Sequence, residues 1–143
     1  MTIDATMPRL VLGASAGAAA FLLLSGARLP RARPRPLGRA AVVRWITLGA
    51  TAGVEEVVWR GLVLGGLSVS IGTALALVVS SAGFAVWHWP WLGCRSAVHL
   101  VTGTAFGTAF LAGGLAAAIL GHALYNILVD FAVHAERARL RGP

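Results

Sequence analysis

Two long stretches of this sequence contain no Asp, Glu, Lys or Arg, and they constrain the fold more than any other feature. They cover residues 61–94 and 96–129. Each is longer than the roughly 20 residues that cross a bilayer once, and each suits two short crossings. Charged residues make up only 12% of the chain, whereas a soluble domain carries about 25%. The sequence therefore predicts an integral membrane protein.

Uncharged segments and glycines divide the chain into five predicted membrane helices. Residues 10–27 form one uncharged segment, the Gly65–Gly72 region divides the first long stretch, and Gly113-Gly114 divides the second. The predicted helices cover residues 10–27, 41–66, 70–88, 96–111 and 115–133. The predicted fold class is all-α, a polytopic membrane bundle of about five transmembrane helices in which dense small residues allow close packing.

The arginines predict the domain organisation and the orientation. All twelve basic residues are arginine. We divide the chain into an N-terminal helix with an Arg/Pro-rich loop (1–40), an intramembrane core (41–134) and a basic tail (135–143). The positive-inside rule puts the loop and the tail in the cytoplasm and the N-terminus outside. The same distribution favours anionic lipid over nucleic acid as a partner.

Two further expectations concern the first helix and the source of the chain. A small, arginine-only chain rich in Ala and Gly favours a bacterial plasma membrane. A cleaved signal peptide that ends at Ser25-Gly26-Ala27 is the alternative to a retained first helix. Cleavage would leave the arginine loop outside, against the positive-inside rule, so a retained helix is favoured.

Three polar clusters interrupt the apolar sequence, and the first is Glu55-Glu56-Val57-Val58-Trp59-Arg60. Because charges at membrane depth are costly, these side chains are expected to face a protein interior or a water-filled cavity. Glu56 and Arg60 are one helical turn apart, and we expect them to pair in a structural role. Glu55 is rotated about 100° around the helix axis and has no local partner. It is therefore a candidate general base.

The second cluster, Phe84-Ala85-Val86-Trp87-His88, puts a histidine at the end of a predicted helix. Taken alone, His88 fits an interfacial residue in a belt of tryptophans. His99, which belongs to no motif, is expected to serve in packing or at the interface.

The third cluster lies within the last helix, where His122 and Asn126 are one turn apart on one face. This spacing suits either an interhelical hydrogen-bond stripe or a functional pair. Asp130 and His134 continue the face, and for them the stripe is favoured. The predicted boundaries put His88 near the surface and His122 deep. Either the third helix extends past Trp89, or the second breaks near Gly53 and brings Glu55 toward the same level.

The order and spacing of the three clusters resemble the CPBP intramembrane proteases, the CAAX-protease and bacteriocin-processing family also called Abi. The family pattern is EExxxR, then FxxxH, then HxxxN or HxxxD. The resemblance covers roughly residues 45–130, and the chain is smaller than most members. The matching residues in this chain are Glu55-Glu56-xxx-Arg60, Phe84-xxx-His88 and His122-xxx-Asn126.

The resemblance implies an intramembrane endopeptidase with a polar cavity inside a helical core. Glu55 with His88 would activate the attacking water. His122 and Asn126 would hold the tetrahedral oxyanion. The substrate would be a membrane-associated protein or a C-terminal peptide tail. The alternative is a non-catalytic immunity or scaffold protein of the same fold. No phosphate-binding glycine motif is present, so no nucleotide is expected.

We favour a mechanism in which Glu55 activates the water and no cofactor is needed. The alternative is a mechanism that uses a metal ion. Glu55, His88 and His122 match the His₂Glu set of a catalytic zinc site. The three would come from different helices, unlike the HExxH pattern, which sets two ligands on one helix. The sequence also puts no carboxylate beside either imidazole to orient it, unless Asp130 reaches.

The orientation predicts how the sole cysteine, Cys94, reacts in cells. It lies beside Arg95 in a loop expected to be cytoplasmic. A membrane-impermeant maleimide is therefore expected to leave Cys94 unlabelled in intact cells and to label it after lysis, which a gel-shift assay measures. Labelling in intact cells would contradict the orientation.

Overall fold

The computed structural model describes residues 6–26 and 38–140, and these residues contain helices but no strand. A π-helical segment, Val57–Leu64, joins α2 to α3 without a break, and a short 3₁₀ helix, Gly93–Ala97, joins α4 to α5. The α-helices are α1 (Thr6–Leu24), α2 (Arg39–Glu56), α3 (Gly65–Ile71), α4 (Thr73–Leu92), α5 (Val98–Gly113) and α6 (Leu115–Leu140).

Two glycines end helices by adopting backbone angles that other residues rarely adopt. Gly72, between α3 and α4, has φ +81°, and Gly114, between α5 and α6, has φ +79°. A side chain is disfavoured in this region of backbone space, and glycine has none. The break that the sequence predicted in the Gly65–Gly72 region occurs at Gly72, and the break predicted at Gly113-Gly114 occurs at Gly114.

Helices α4 and α5 pack as an antiparallel hairpin. Gly103 of α5 lies against Ser81 of α4, and Gly107 lies against Leu77. A Cβ atom on Gly103 would come within 3.1 Å of the Ser81 Cα. Absence of a side chain therefore lets the two backbones approach closely, as small residues do between membrane helices.

Helices α1 and α6 run parallel and meet through small residues. Gly13 lies against Ala117, and Gly17 lies against Gly121 one turn further along both helices. A Cβ atom on Gly13 or Gly17 would collide with a backbone carbonyl of α6. Helix α1 thus supports α6 at the residue that precedes His122.

Large apolar side chains face outward, and the buried core consists largely of small ones. Val69 is 90% exposed and Leu62 68% exposed, whereas Ala52, Ala76 and Ala117 are fully buried. Water disfavours such a surface and a bilayer favours it. This distribution supports the prediction of an integral membrane protein.

Three segments of the described chain are long and apolar enough to cross a membrane: Thr6–Leu24, Thr73–Gly113 and Leu115–Leu140. The second has 41 residues and includes both arms of the α4–α5 hairpin. The continuous helical run from α2 to α3 is not among them, because two arginines and two glutamates lie within it in addition to Arg39 at its start. The predicted count of about five transmembrane helices is therefore not confirmed.

Parts of two predicted domains lie outside the described ranges. The Arg/Pro-rich segment of the loop, residues 27–37, and residues 141–143 of the tail lie outside them, as does Ala27 of the alternative cleavage site. Helix α6 continues through the first part of the predicted tail to Leu140. That part of the tail is helical because no glycine or proline interrupts it.

Candidate active site

A fully buried ion pair lies where α2 passes into the π-helical segment. Glu56 and Arg60 are both 0% exposed, and Glu56 Oε2 lies 3.0 Å from Arg60 Nε. Arg60 Nη2 donates a hydrogen bond to the Gly103 carbonyl of α5 at 3.1 Å. The guanidinium also lies over the Phe84 ring of α4, 4.6 Å from its centroid. The expected pair is present, and it contacts two further helices.

The other oxygen of Glu56 holds an imidazole. His122 Nδ1 lies 2.8 Å from Glu56 Oε1, and both groups are buried. The His122 ring stacks on Phe106 with centroids 4.8 Å apart, and Phe84 meets it edge-on. The expectation that no carboxylate orients an imidazole is therefore wrong for His122. Glu56 does so because α2 and α6 pack antiparallel at this level.

Asp130 does not orient His88 or His122, because its carboxylate binds two side chains of α2 instead. Arg44 Nε donates to Asp130 Oδ1 at 2.7 Å, and Trp45 Nε1 donates to Oδ2 at 2.9 Å. His134 Nδ1 lies 2.8 Å from the Asp130 carbonyl oxygen. Asp130 thus makes the interhelical hydrogen bonds that the spacing favoured, between α6 and α2.

Glu55 faces two histidines from two other helices. Its Oε1 lies 3.8 Å from His88 Nε2, and its Oε2 lies 3.6 Å from His122 Nε2. Both distances exceed a direct hydrogen bond, and a polar contact of this length suits a bridging water. The Glu55 and His88 side chains are 20% and 17% exposed, whereas His122 is 4% exposed. The cluster formed by Glu55, His88 and His122 is therefore open to its surroundings on the side of Glu55 and His88.

The opposite nitrogen of His88 fixes its tautomer. His88 Nδ1 lies 2.8 Å from the Phe84 carbonyl oxygen. A carbonyl oxygen only accepts, so Nδ1 carries the proton and Nε2 of the neutral ring presents a lone pair towards Glu55. Helix α4 extends past Trp89 to Leu92. Of the two ways in which His88 and His122 were expected to meet, the extension of the third helix is the one observed.

Asn126 lies on α6 one turn after His122, and His99 lies near the start of α5. Asn126 is half-buried, and its side-chain amide forms no hydrogen bond with a described residue. His99, which had only a packing role, stacks on His88 with centroids 3.9 Å apart. No motif marks His99, because its partner lies on another helix.

The residues around Glu55 have donor chemistry that zinc accepts, but their spacing is not that of a metal site. Two Nε2 atoms and a carboxylate converge, and each Nδ1 has an oxygen partner, as in many zinc sites. Within residues 6–26 and 38–140, however, no three His, Cys, Asp or Glu side chains are gathered closely enough to hold a metal ion. The donor set therefore fits zinc in kind and does not fit it in arrangement.

The fold and the cluster together define a class of protein. A carboxylate that faces two imidazoles inside a helical membrane bundle has the groups that hydrolysis by activated water requires. The family model for type II CAAX prenyl endopeptidase Rce1-like proteins matches residues 38–128. The chain belongs to this family of membrane proteases, and it is an integral membrane protein whose family acts on protein or peptide substrates. No curated protein and no solved structure matches the chain.

Removing Arg60 is expected to destabilise the protein, because Glu56 would remain buried without its cation. The loss from a broken buried pair is about 3–5 kcal/mol. Arg60→Ala is therefore expected to lower the abundance of inserted protein and its thermal unfolding midpoint in detergent. The matched control is Arg139→Ala, which breaks the exposed Arg139–Glu136 pair at the C-terminal end of α6. Equal abundance of the two variants would contradict a structural role for the buried pair.

Proposed function

We propose that this protein is an intramembrane endopeptidase that hydrolyses a peptide bond with water activated by Glu55 and His88. The observation that carries the proposal is the convergence of the Glu55 carboxylate with two imidazole Nε2 atoms, at 3.8 Å and 3.6 Å. The family supports protease activity in general. The mechanism and the substrate are our inference.

Water activation needs a base to take up one proton, and the open side of the site supplies two acceptors, Glu55 and His88. A water between Glu55 and His88 donates one hydrogen to the carboxylate and the other to the Nε2 lone pair. As its oxygen attacks the carbonyl carbon of the substrate, the water gives one proton to the pair formed by the Glu55 carboxylate and the His88 imidazole. The same proton then passes to the nitrogen of the leaving amine. The products are a carboxylic acid and an amine, and the pair returns to its starting state.

Stabilisation of the tetrahedral oxyanion is assigned to the deeper side of the cluster. His122 donates from Nε2 to the oxyanion while its Nδ1 donates to Glu56. In this proposal the ring carries both protons before the water attacks and keeps both throughout the reaction. With Arg60 and a doubly protonated His122 opposite Glu55 and Glu56, the charges of these four side chains balance. Asn126, one turn further along α6, adds an amide donor that has no other partner among the described residues.

Zinc is the alternative means of activating the water, and its ligands would be Glu55, His88 and His122. When bound, zinc would supply a Lewis acid and a more acidic water. We favour the glutamate mechanism because the three side chains are not gathered as a metal site. Chain residues then perform the proton transfers described above.

The membrane arrangement that best suits this mechanism has five crossings. The run from α2 to α3 is continuous and long enough to cross a bilayer, and Glu56 and Arg60, two of its charged side chains, are buried inside the bundle. Parallel α1 and α6 support an odd number of crossings. We propose that the N-terminus lies on the outer side of a bacterial plasma membrane. The arginine-rich loop and tail lie on the cytoplasmic side and contact anionic lipids of that leaflet. The proposal includes neither nucleic acid nor nucleotide.

The substrate we propose is a membrane-associated protein or a C-terminal tail, which reaches the cluster from its open side. The non-catalytic alternative, an immunity or scaffold protein, is less favoured. A scaffold needs the buried Glu56–Arg60 pair, but it does not need a partly exposed carboxylate aimed at two imidazoles.

Glu55→Gln and His88→Ala are expected to abolish cleavage while the protein remains inserted at normal abundance, because each removes a base that can take up a proton from the water. The assay measures cleavage of a quenched prenylated CAAX peptide and of its unprenylated twin by the purified protein in nanodiscs. Glu136→Gln, on the exposed end of α6, is the matched control and is expected to retain activity. Full activity of Glu55→Gln would contradict the role of Glu55.

Chelation distinguishes the two mechanisms. The glutamate mechanism predicts that the purified protein keeps its activity after treatment with a strong zinc chelator, since no step passes through a metal. The same peptide assay measures this before chelation, after chelation and after zinc is restored. Activity that disappears on chelation and returns with stoichiometric zinc would establish the metal mechanism instead.

A further inference from the structure

A third histidine, His99 of α5, lies against the cluster and has no part in the mechanism above. Its ring stacks on His88 with centroids 3.9 Å apart and planes inclined by 24°. Phe84 meets both imidazoles edge-on, with centroid distances of 4.7 Å to His88 and 5.2 Å to His99. The face of the His88 ring is therefore covered by a side chain from a different helix.

His99 is itself held in place on α5. Its Nδ1 lies 3.4 Å from the hydroxyl oxygen of Thr102, one turn further along the helix. Thr102 is 1% exposed, so its position is fixed by the packing around it. A line of contacts thus runs from the buried face of α5 through His99 to His88.

The geometry of His88 shows why such a contact matters. One hydrogen bond, from Nδ1 to the Phe84 carbonyl, anchors one edge of the ring. The torsion that turns an imidazole about its Cβ–Cγ bond has a broad energy profile, so one hydrogen bond leaves the plane of the ring free to tilt. A second ring stacked on the face restricts that tilt. Together the two contacts direct Nε2 at Glu55.

We propose that His99 is a positioning residue that fixes the plane of the His88 imidazole, so that Nε2 stays directed at Glu55 Oε1. The proposal rests on the function proposed for His88. His99 forms no ion pair with either glutamate of the cluster among the described residues. It acts through its aromatic face and not by transferring a proton. A residue with an equivalent flat face is therefore expected to replace it.

The test compares His99→Ala, which removes the face, with His99→Phe, which keeps a flat ring and removes both nitrogens. His134→Ala is the matched control, because His134 is half-exposed near the end of α6 and lies outside the cluster. The chain has four histidines. Nitrogen-15 labelling of histidine in nanodiscs therefore gives few signals, and single substitutions assign them. The spectrum reports the tautomer of His88 without a substrate, and the quenched peptides give kcat and KM.

In the unsubstituted protein the neutral His88 ring is expected to carry its proton on Nδ1. His99→Ala is expected to mix or broaden the His88 tautomer signals and to lower kcat by about 10- to 100-fold, with KM unchanged, as misplacement of a catalytic group does. His99→Phe is expected to restore both the signals and most of kcat. His134→Ala is expected to change neither.

Three results would overturn the proposal or separate it from the proposed function. Unchanged His88 signals in His99→Ala would overturn the positioning role whatever the activity. Loss of kcat in His99→Phe with intact His88 signals would also overturn it, because the nitrogens of His99 would then be what matters. If His99→Ala alters the His88 signals but the unsubstituted protein cleaves neither peptide, the positioning role stands and the proposed activity on these peptides fails.

Discussion

The ion pair between Glu56 and Arg60 is the interaction on which the rest of the site depends. Buried charges of this kind contribute little net stability, because removing both from water is costly. What the pair contributes is specificity, because its other polar atoms form hydrogen bonds with other helices. Arg60 reaches the backbone of α5 at Gly103, and Glu56 reaches α6 at His122. The contacts of the pair with Gly103 and His122 form only when three helices adopt one arrangement, and that arrangement also brings His122 to Glu55.

The π-helical segment Val57–Leu64 carries the cation of this pair into the bundle. Such segments recur at functional sites, where a wider turn redirects side chains. Neighbouring helix α4 accommodates it at two points. Ser80 donates a hydrogen bond to the Trp59 carbonyl at 2.7 Å, and Gly83 leaves room for the Trp59 ring. Small residues on α4 thus secure the segment that holds Arg60, just as small residues on α1 secure the helix that holds His122.

In both His88 and His122, one ring nitrogen is held by a hydrogen bond and the other faces Glu55. Nδ1 of His88 is bound by a backbone carbonyl and Nδ1 of His122 by a carboxylate, and each Nε2 is left facing Glu55. The partners differ in charge, which matches the two roles that we propose. A neutral carbonyl partner suits an imidazole that accepts a proton, whereas a carboxylate partner suits an imidazole that donates from both nitrogens.

Local spacing and charge distribution were enough to predict an all-helical fold, the glycine breaks and the pairing of Glu56 with Arg60, because one segment determines each of them. The residues of the three motifs likewise lie on helices at the spacing that the sequence indicates. The partners of contacts between helices were not predicted: the Glu56–His122 bond, the choice of Arg44 as the partner of Asp130 and the stacking of His99 on His88. Each joins residues on different helices, so its geometry depends on how those helices pack and cross. That packing is decided by the close approach of small residues along whole helices, which the spacing within one segment does not encode.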